Sequence, residues 1–326
     1  MIIVGIESTA HTFGVGVVKY GEILANCKDS YTTKSGGIIP IDSAKHHVDY
    51  SDKVWENAIT SAKISEKDIS AIAISNAPGL APCLLAGMKF AKKKALILNI
   101  PIVPVNHCIA HLEIGRITGA KDPVLLYVSG ANTQIIAYAE GKYRVFGETL
   151  DIGIGNFIDN FARYCGIGFP GGPKIMELAK YGKYVEIPYS IKGMDVSFSG
   201  ILTNLKQKYD KGEKIENLSY SLQETTFAML VEASERALAH TGKKELLLGG
   251  GVGCNERLQK MCEIMCKERG CNFFVPENSL LVDNGAMIAY LGEIEFKSGI
   301  KFLPKDFDSL DINPKERTDD VKVIWR

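Results

Sequence analysis

Short apolar runs alternate with longer stretches of helical period along the whole of this chain. The runs MIIVGIES (1–8), FGVGVVKY (13–20) and GEIL (21–24) are separated only by TAHT and a glycine turn, which predicts three strands in succession. The same order returns over 124–150: VLLYVS, the turn GANT, then QIIAYAEGKYRVFGETL. A repeated unit of strand, small polar turn, strand, glycine turn and strand predicts a duplicated β-meander and two similar lobes facing across a cleft.

Helices are predicted around the meanders. SAKHHVDYSDKVWENAITSAK (43–63) is amphipathic. LLAGMKFAKKKALIL (84–98) follows the loop Pro78-Gly79-Leu80, and a further helix carries His107 and His111. ISAIAIS (69–75) and IPIVPVN (100–106) read as buried strands. Later helices are expected over GNFIDNFARYCG (155–166), KIMELAKYG (174–182) and SYSLQETTFAMLVEASERALAHTG (219–242), the last stopped by Gly242. ELLLGGGVGCNERLQKMCEIMCKERG (245–270) reads as strand, glycine loop and helix. NFFVPE (272–277) reads as a strand, and Asp283-Asn284-Gly285 opens the helix AMIAYLGEI. This alternation makes the class α/β. The expected lobes are 1–120 and 121–296. Residues from about 297 to 326 pack back on the first and end in a strand, VKVIW (321–325).

Composition narrows the classes. The chain has 326 residues, 46% hydrophobic and 23% charged, ordinary values for a globular enzyme. Lys+Arg and Asp+Glu are each 38, so no global basic surplus marks a nucleic-acid binder, and any grip on RNA is local or a partner's. The eight cysteines form no C-x-x-C pair. They read as reduced thiols of a cytoplasmic protein without a signal peptide, not as a zinc site at Cys262, Cys266 and Cys271. No apolar run reaches membrane length, since LILNIPIVPV is broken by Pro101 and Pro104.

Candidate chemistry begins at His107 and His111. At i and i+4 they share one helix face, as two ligands of one metal must, and as two members of a polar face also would. Cys108 stands where a zinc peptidase of the H-E-x-x-H type has its glutamate, which disfavours that class. Tyr127, at the end of a predicted strand, and Asp283, at a helix start, are candidate oxygen ligands; a core tyrosine and a plain N-cap are the alternatives. Such a set suits iron or zinc better than magnesium. Three small-residue loops suggest anion cradles: Ser8 to Thr12, Ser129-Gly130-Ala131-Asn132, and Gly249 to Asn255 before a helix. None fits a P-loop or a dinucleotide fingerprint. Phe169-Pro170-Gly171-Gly172-Pro173 offers a flat backbone wall, and Asp159 on a nearby helix could bind ribose hydroxyls.

Taken together these motifs resemble the universal tRNA N6-adenosine threonylcarbamoyltransferases, the family of the KEOPS catalytic subunit, once labelled sialoglycoprotein endopeptidases. The likeness runs through Gly5-Ile6-Glu7, Ala10-His11-Thr12, Gly36-Gly37-x-x-Pro40, Pro78-Gly79-Leu80, Asn106-His107-x-x-x-His111 and Val128 to Thr133. It continues through Pro170 to Pro173, Ser197-Phe198-Ser199-Gly200, Gly249 to Val252 with Asn255, and Asp283-Asn284-Gly285. The ending Arg317 to Val321 is of the archaeal type. The resemblance implies the fold of actin, sugar kinases and heat-shock chaperone ATPases, with two ribonuclease-H-like lobes around a nucleotide cleft. It implies one metal on His107, His111, Tyr127 and Asp283, iron(II) with zinc the alternative. It implies nucleotide contacts at Tyr127, Val128, Ser129, Gly130, Ala131, Asp159, Gly172 and Asn255, the nucleotide being threonylcarbamoyl-AMP or ATP, with or without Mg2+. One position departs from the family. Met176 stands where an acidic residue is usual, and Glu177 is rotated from it by about 100° on a helix, so a carboxylate–ribose contact there is not carried over.

The resemblance further implies transfer of a threonylcarbamoyl group to N6 of the adenosine following the anticodon, in tRNAs reading ANN codons, within KEOPS. Expected partners are tRNA, a small protein-kinase-like ATPase, separate or fused, and a dimerising subunit. No catalytic residue is assigned, and Cys108 reads as packing more than as a nucleophile. An ATP-dependent small-molecule kinase of the same fold is the alternative.

Overall fold

The structure, a computed structural model, describes residues 1–33 and 37–326; Gly36 of the motif Gly36-Gly37-x-x-Pro40 lies outside them. In chain order the elements are β1 (Ile2–Glu7), β2 (Thr12–Lys19), β3 (Glu22–Ser30), α1 (Pro40–Ser61), β4 (Ala71–Ala77), α2 (Ala81–Leu98), β5 (Ile102–Asn106) and α3 (His107–Gly115). Then come β6 (Val124–Val128), β7 (Thr133–Ala139), β8 (Lys142–Glu148), α4 (Ile154–Tyr164), α5 (Gly172–Ala179), β9 (Ile191–Lys192), β10 (Asp195–Val196), α6 (Ser199–Asp210) and α7 (Ile215–Thr241). The chain closes with β11 (Glu245–Gly249), α8 (Glu256–Arg269), β12 (Asn272–Phe274), α9 (Asn278–Leu281) and α10 (Gly285–Lys297).

Two compact units result. The first comprises Met1–Tyr31, Ile38–Ile114 and Asp283–Arg326; the second comprises Thr32–Gly37 and Gly115–Val282. The first holds a five-stranded sheet ordered β3-β2-β1-β4-β5, the second a sheet ordered β12-β11-β6-β7-β8. In both, the meander pairs antiparallel and its first strand pairs parallel with the next strand along, β1 with β4 and β6 with β11. Both hairpins turn through two consecutive left-handed residues, Tyr20-Gly21 and Glu140-Gly141, with φ of 51° and 82° in each. Such turns match the right-handed twist of their strands, and glycine takes the second position without strain. The duplication read in the sequence is therefore present down to its turn geometry.

Inside the first unit, α1 begins at Pro40, whose missing N–H costs nothing in a helix's first turn. It turns Ser43, His47, Ser51, Val54, Trp55 and Ala58 inward at helical spacing. The core gathers Val4, Ile6, Phe13, Val15, Ile72, Ile74 and Phe90 around that face. His47 is fully buried, its Nε2 lies 3.1 Å from the Ala10 carbonyl, and burial, aided by neighbouring His46, pulls its pKa down to about 4. A histidine kept neutral in the fold takes up its proton more readily once unfolded. Its contribution is complete above about pH 6.5 and is lost as pH falls towards 4. Acidification across that window should cost up to about 3 kcal/mol at this residue. Urea titrations at pH 7 and pH 4.5 should show a smaller pH dependence for His47→Gln than for the unaltered chain.

The first unit also shows why α10 lies where it does. A Cβ on Gly5 would sit 2.1 Å from the Ala289 nitrogen, one on Gly16 2.1 Å from the Ala286 nitrogen, and one on Gly285 2.2 Å from the Gly16 nitrogen. Bare glycines on both partners let the helix backbone rest directly on β1 and β2. In the second unit the core gathers Leu126, Phe157, Phe161, Phe198, Phe227 and Leu248.

One expectation needs correction. VKVIW is not a strand. Its residues alternate between half-buried and exposed, but they pair with no neighbouring strand among the described residues, so the period of two reports one-sided contact, not a ladder. The β9–β10 hairpin and α6 were not predicted; their segment is short, polar and interrupted by Gly193. No helix of the described residues is long and apolar enough to cross a membrane.

Candidate metal centre and nucleotide loops

β5 passes into α3 without a loop, because Asn106 ends the strand and caps the helix. Its Oδ1 accepts from the amides of Cys108 and Ile109 at 3.0 and 3.2 Å. That places His107 on the first turn and His111 one turn on, with their rings 4.7 Å apart and nearly perpendicular. Asp283 comes from 172 residues further along the chain. It immediately precedes Asn284, whose Oδ1 caps α10 by accepting from the Met287 amide at 2.9 Å. The seating of α10 on the glycines of β1 and β2 thus brings Asp283 to the histidines.

Nε2 of His107 and Nε2 of His111 each lie 3.4 Å from Oδ1 of Asp283. A charge-assisted hydrogen bond would be nearer 2.8 Å. Two ligands about 2.1 Å from one ion in tetrahedral geometry stand about 3.4 Å apart. The spacing therefore suits shared ligation better than direct bonding. The three donor atoms lie within 4.8 Å of one another, and both histidines are buried.

Glu7, at the end of β1 and fully buried, completes the arrangement. Its Oε2 lies 2.9 Å from Nδ1 of His107, while Oε1 accepts from the Thr9 amide at 2.7 Å and the Thr9 hydroxyl at 2.5 Å. With the Nδ1 proton held by Glu7, His107 presents Nε2 towards Asp283. Burial works against a charge on His107, but Glu7 and Asp283 outweigh it and hold the imidazole well above its ordinary value. Burial pushes His111 down against the pull of Asp283. Burial would raise the Asp283 carboxyl, yet the His107 charge and both imidazole contacts hold it well below the usual carboxylate range. Two neutral-capable nitrogens and an ionised oxygen, backed by a carboxylate, fit a divalent transition metal. Glu7→Gln should weaken metal affinity by roughly 10- to 100-fold with the fold retained, read by chelator competition. Glu7 stood in a quoted motif without a role; a lone acid ending a fully buried strand is the signal that could have marked it.

In the loop Ser8 to Thr12 several backbone groups are committed within the first unit. The Ser8 amide donates to Ser75 and the Thr9 amide to Glu7, while the Ala10 carbonyl accepts from Ser43.

The second unit holds the other candidates. Tyr127 is fully buried near the end of β6, its backbone registered with Gln134 and Gly249. Val128 follows it and is also buried. In the turn after β6 the Ser129 amide is committed to the Asn132 carbonyl at 2.8 Å. The Ser129 and Gly130 carbonyls accept from the Gly155 and Asn156 amides of α4. The exposed Gly130 and Ala131 make no backbone hydrogen bond through their own amides among the described residues, so these two N–H groups are the turn's donors. Gly250, at φ 90°, has no room for a Cβ, which would meet the Val128 carbonyl at 2.4 Å. Asn255 caps α8, accepting from the Arg257 amide at 2.9 Å. Asp159 is no solvated helix charge. Its Oδ1 accepts from the Gly171 amide at 2.8 Å and ties α4 to the Gly171–Gly172 corner, where Gly172 faces open space. Glu177 is exposed and pairs with Lys180 at 2.6 Å.

Two units repeating one five-strand order, with donors at the carboxyl ends of parallel strands, define the fold shared by actin, sugar kinases and heat-shock chaperone ATPases. Solved structures agree on the fold. Full-length HypF in its phosphate- and nucleotide-bound form superposes with a TM-score of 0.61 at 13% identity, covering 90% of this chain and 46% of that one. Component A of the Acidaminococcus fermentans (R)-2-hydroxyglutaryl-CoA dehydratase gives 0.55 at 12%, covering 89% and 98%.

The family model TsaD, described as tRNA N6-adenosine threonylcarbamoyltransferase, matches residues 22–290. A protein of that name from Thermococcus sibiricus is 53% identical over 100% of both chains. A probable bifunctional tRNA threonylcarbamoyladenosine biosynthesis protein from Methanosarcina mazei is 52% identical over 99% of this chain but only 59% of its own length. The chain belongs to the tRNA N6-adenosine threonylcarbamoyltransferase family.

Proposed function

We propose that this chain transfers the threonylcarbamoyl group of threonylcarbamoyl-AMP to N6 of the adenosine following the anticodon, in tRNAs reading ANN codons, as the catalytic subunit of a cytoplasmic KEOPS assembly. The observation that carries the reading is the set of buried His107 and His111 with half-buried Asp283, braced by Glu7, in a chain of this family. Iron(II), or zinc in its place, would be held by these three and by the Tyr127 phenol that the resemblance adds, and supplies a Lewis acid and template when bound. The amides of Gly130 and Ala131 receive the adenylate phosphate. Asp159, Gly172 and Asn255, with the backbone of Tyr127 to Ser129, hold the adenosine. The tRNA amine attacks the carbamoyl carbon, the bond from that carbon to the phosphate oxygen breaks, AMP leaves with the electron pair, and the amine proton passes to solvent. That amine is a weak nucleophile, so positioning supplies most of the rate. Cys108 is 1% exposed, which supports packing over covalent catalysis.

The balanced charge supports a shared grip on tRNA, with partner subunits providing much of the phosphate contact. The bifunctional relatives' extra length supports a second protein working alongside, the small protein-kinase-like ATPase, with a dimerising subunit completing the set. The purified chain, loaded with iron(II) and given threonylcarbamoyl-AMP and tRNA, should release AMP and modified tRNA in equal amounts. Consumption of ATP with small acceptors, and no transfer to tRNA, would favour the kinase instead.

A further inference from the structure

The C-terminal segment, which the proposed chemistry leaves unused, touches both ends of the helix that carries the histidines. At its start, Asn106 caps α3 through Oδ1 and donates through Nδ2 to Oε2 of Glu316 at 2.8 Å. At its last turn, Glu113 is fully buried, two residues beyond His111. Trp325 Nε1 donates to Oε1 of Glu113 at 3.3 Å, and Arg326 Nε lies 3.6 Å from the same oxygen. The Arg326 side chain is 11% exposed and that of Glu113 is not exposed at all, so this pair is shielded from screening by solvent. Just before Glu316 the segment is clipped to the end of β4 and the loop after it: the Asn313 amide donates to the Asn76 carbonyl at 2.9 Å, and the Gly79 amide to the Pro314 carbonyl at 3.2 Å.

We infer that Glu316 and the Trp325–Arg326 dipeptide form a strap that fixes the register of α3, and through it the aim of His107 and His111 at the metal. These are positioning residues; they touch neither substrate nor ion. The physical case is that α3 has only nine residues, too few to hold its place by its own hydrogen bonds. It also carries a buried carboxylate crowded by others. Burial, with Glu113 and Glu316 close by, raises the Glu295 carboxyl well above its ordinary range. A buried charge that loses two of its partners is costly, so cutting the strap should push α3 to shift and rehydrate Glu113.

The inference rests on the metal reading, and cobalt(II) as probe separates the two. In the full chain, the double variant Trp325→Ala with Arg326→Ala should bind Co2+ at least 10-fold more weakly and alter its visible absorption. The KM for tRNA should stay unchanged, and Arg326→Lys alone should retain most of the affinity. In a Glu113→Gln background, where no charge needs shielding, the same double variant should cost little. Unchanged affinity and absorption overturn the strap. So does an equal loss in both backgrounds, which would place the effect outside Glu113. An unaltered chain that binds no Co2+ at all ends the metal reading itself.

Discussion

Alanine in place of His111 should abolish metal binding and, with it, transfer of the threonylcarbamoyl group, in a chain that still folds. His111 contributes one of three clustered donors, and of the two histidines it is the one Glu7 does not hold in place. Losing it leaves His107 and Asp283, with the Tyr127 phenol that the proposal adds, so the site trades a buried imidazole for a gap and its grip on a divalent transition ion should weaken sharply. Activity should fall by more than the roughly 100-fold that marks the upper range for a group standing behind a ligand. Elemental analysis, Co2+ titration and circular dichroism on one sample check the three parts of the claim. Full turnover by the variant, or by unaltered chain freed of metal, refutes the assignment.

Gly285→Ala should destabilise the first unit by at least about 3 kcal/mol, against the general expectation that alanine improves a helix over glycine by about 1 kcal/mol. The sign reverses because the new methyl would sit 2.2 Å from the Gly16 nitrogen and 2.4 Å from the Val15 carbonyl carbon, backbone atoms that cannot swing aside. α10 must lift from β1 and β2, carrying Asp283 away from the histidines, so metal affinity falls with stability. Both tryptophans, Trp55 and Trp325, belong to the first unit, so fluorescence-detected urea unfolding reports on that unit selectively. A variant as stable as its parent would show that the close seating is not needed.

How much of this was legible beforehand depends on how local the signal is. The meander duplication was readable because apolar runs of fixed length and a Tyr-Gly or Glu-Gly turn are local properties. The histidine pair was readable for the same reason, since i and i+4 share a helix face whatever surrounds them. That Asp283 joins them is a fact of tertiary packing, and it came from family resemblance, not from spacing. The glycine seats that enforce it, Gly5, Gly16 and Gly285, looked like ordinary strand and cap glycines. Loop composition does not say which amides are already committed. In Ser8 to Thr12 the first two amides are already taken, by Ser75 and by Glu7, partners that composition does not reveal. VKVIW misled because alternation reports a covered side, not a hydrogen-bonded neighbour.

The interleaving of the two units has a consequence for biogenesis. A ribosome delivers β1 to α3 first, then the whole of 115–282, and only then Asp283 and the helix that covers β1 and β2. Throughout that interval the nascent first unit lacks both Asp283 and the helix that covers its bare glycines. On the proposed reading, metal loading waits until residue 283 has emerged and α10 has docked, and a polypeptide stalled before that point should bind no Co2+ at the histidines.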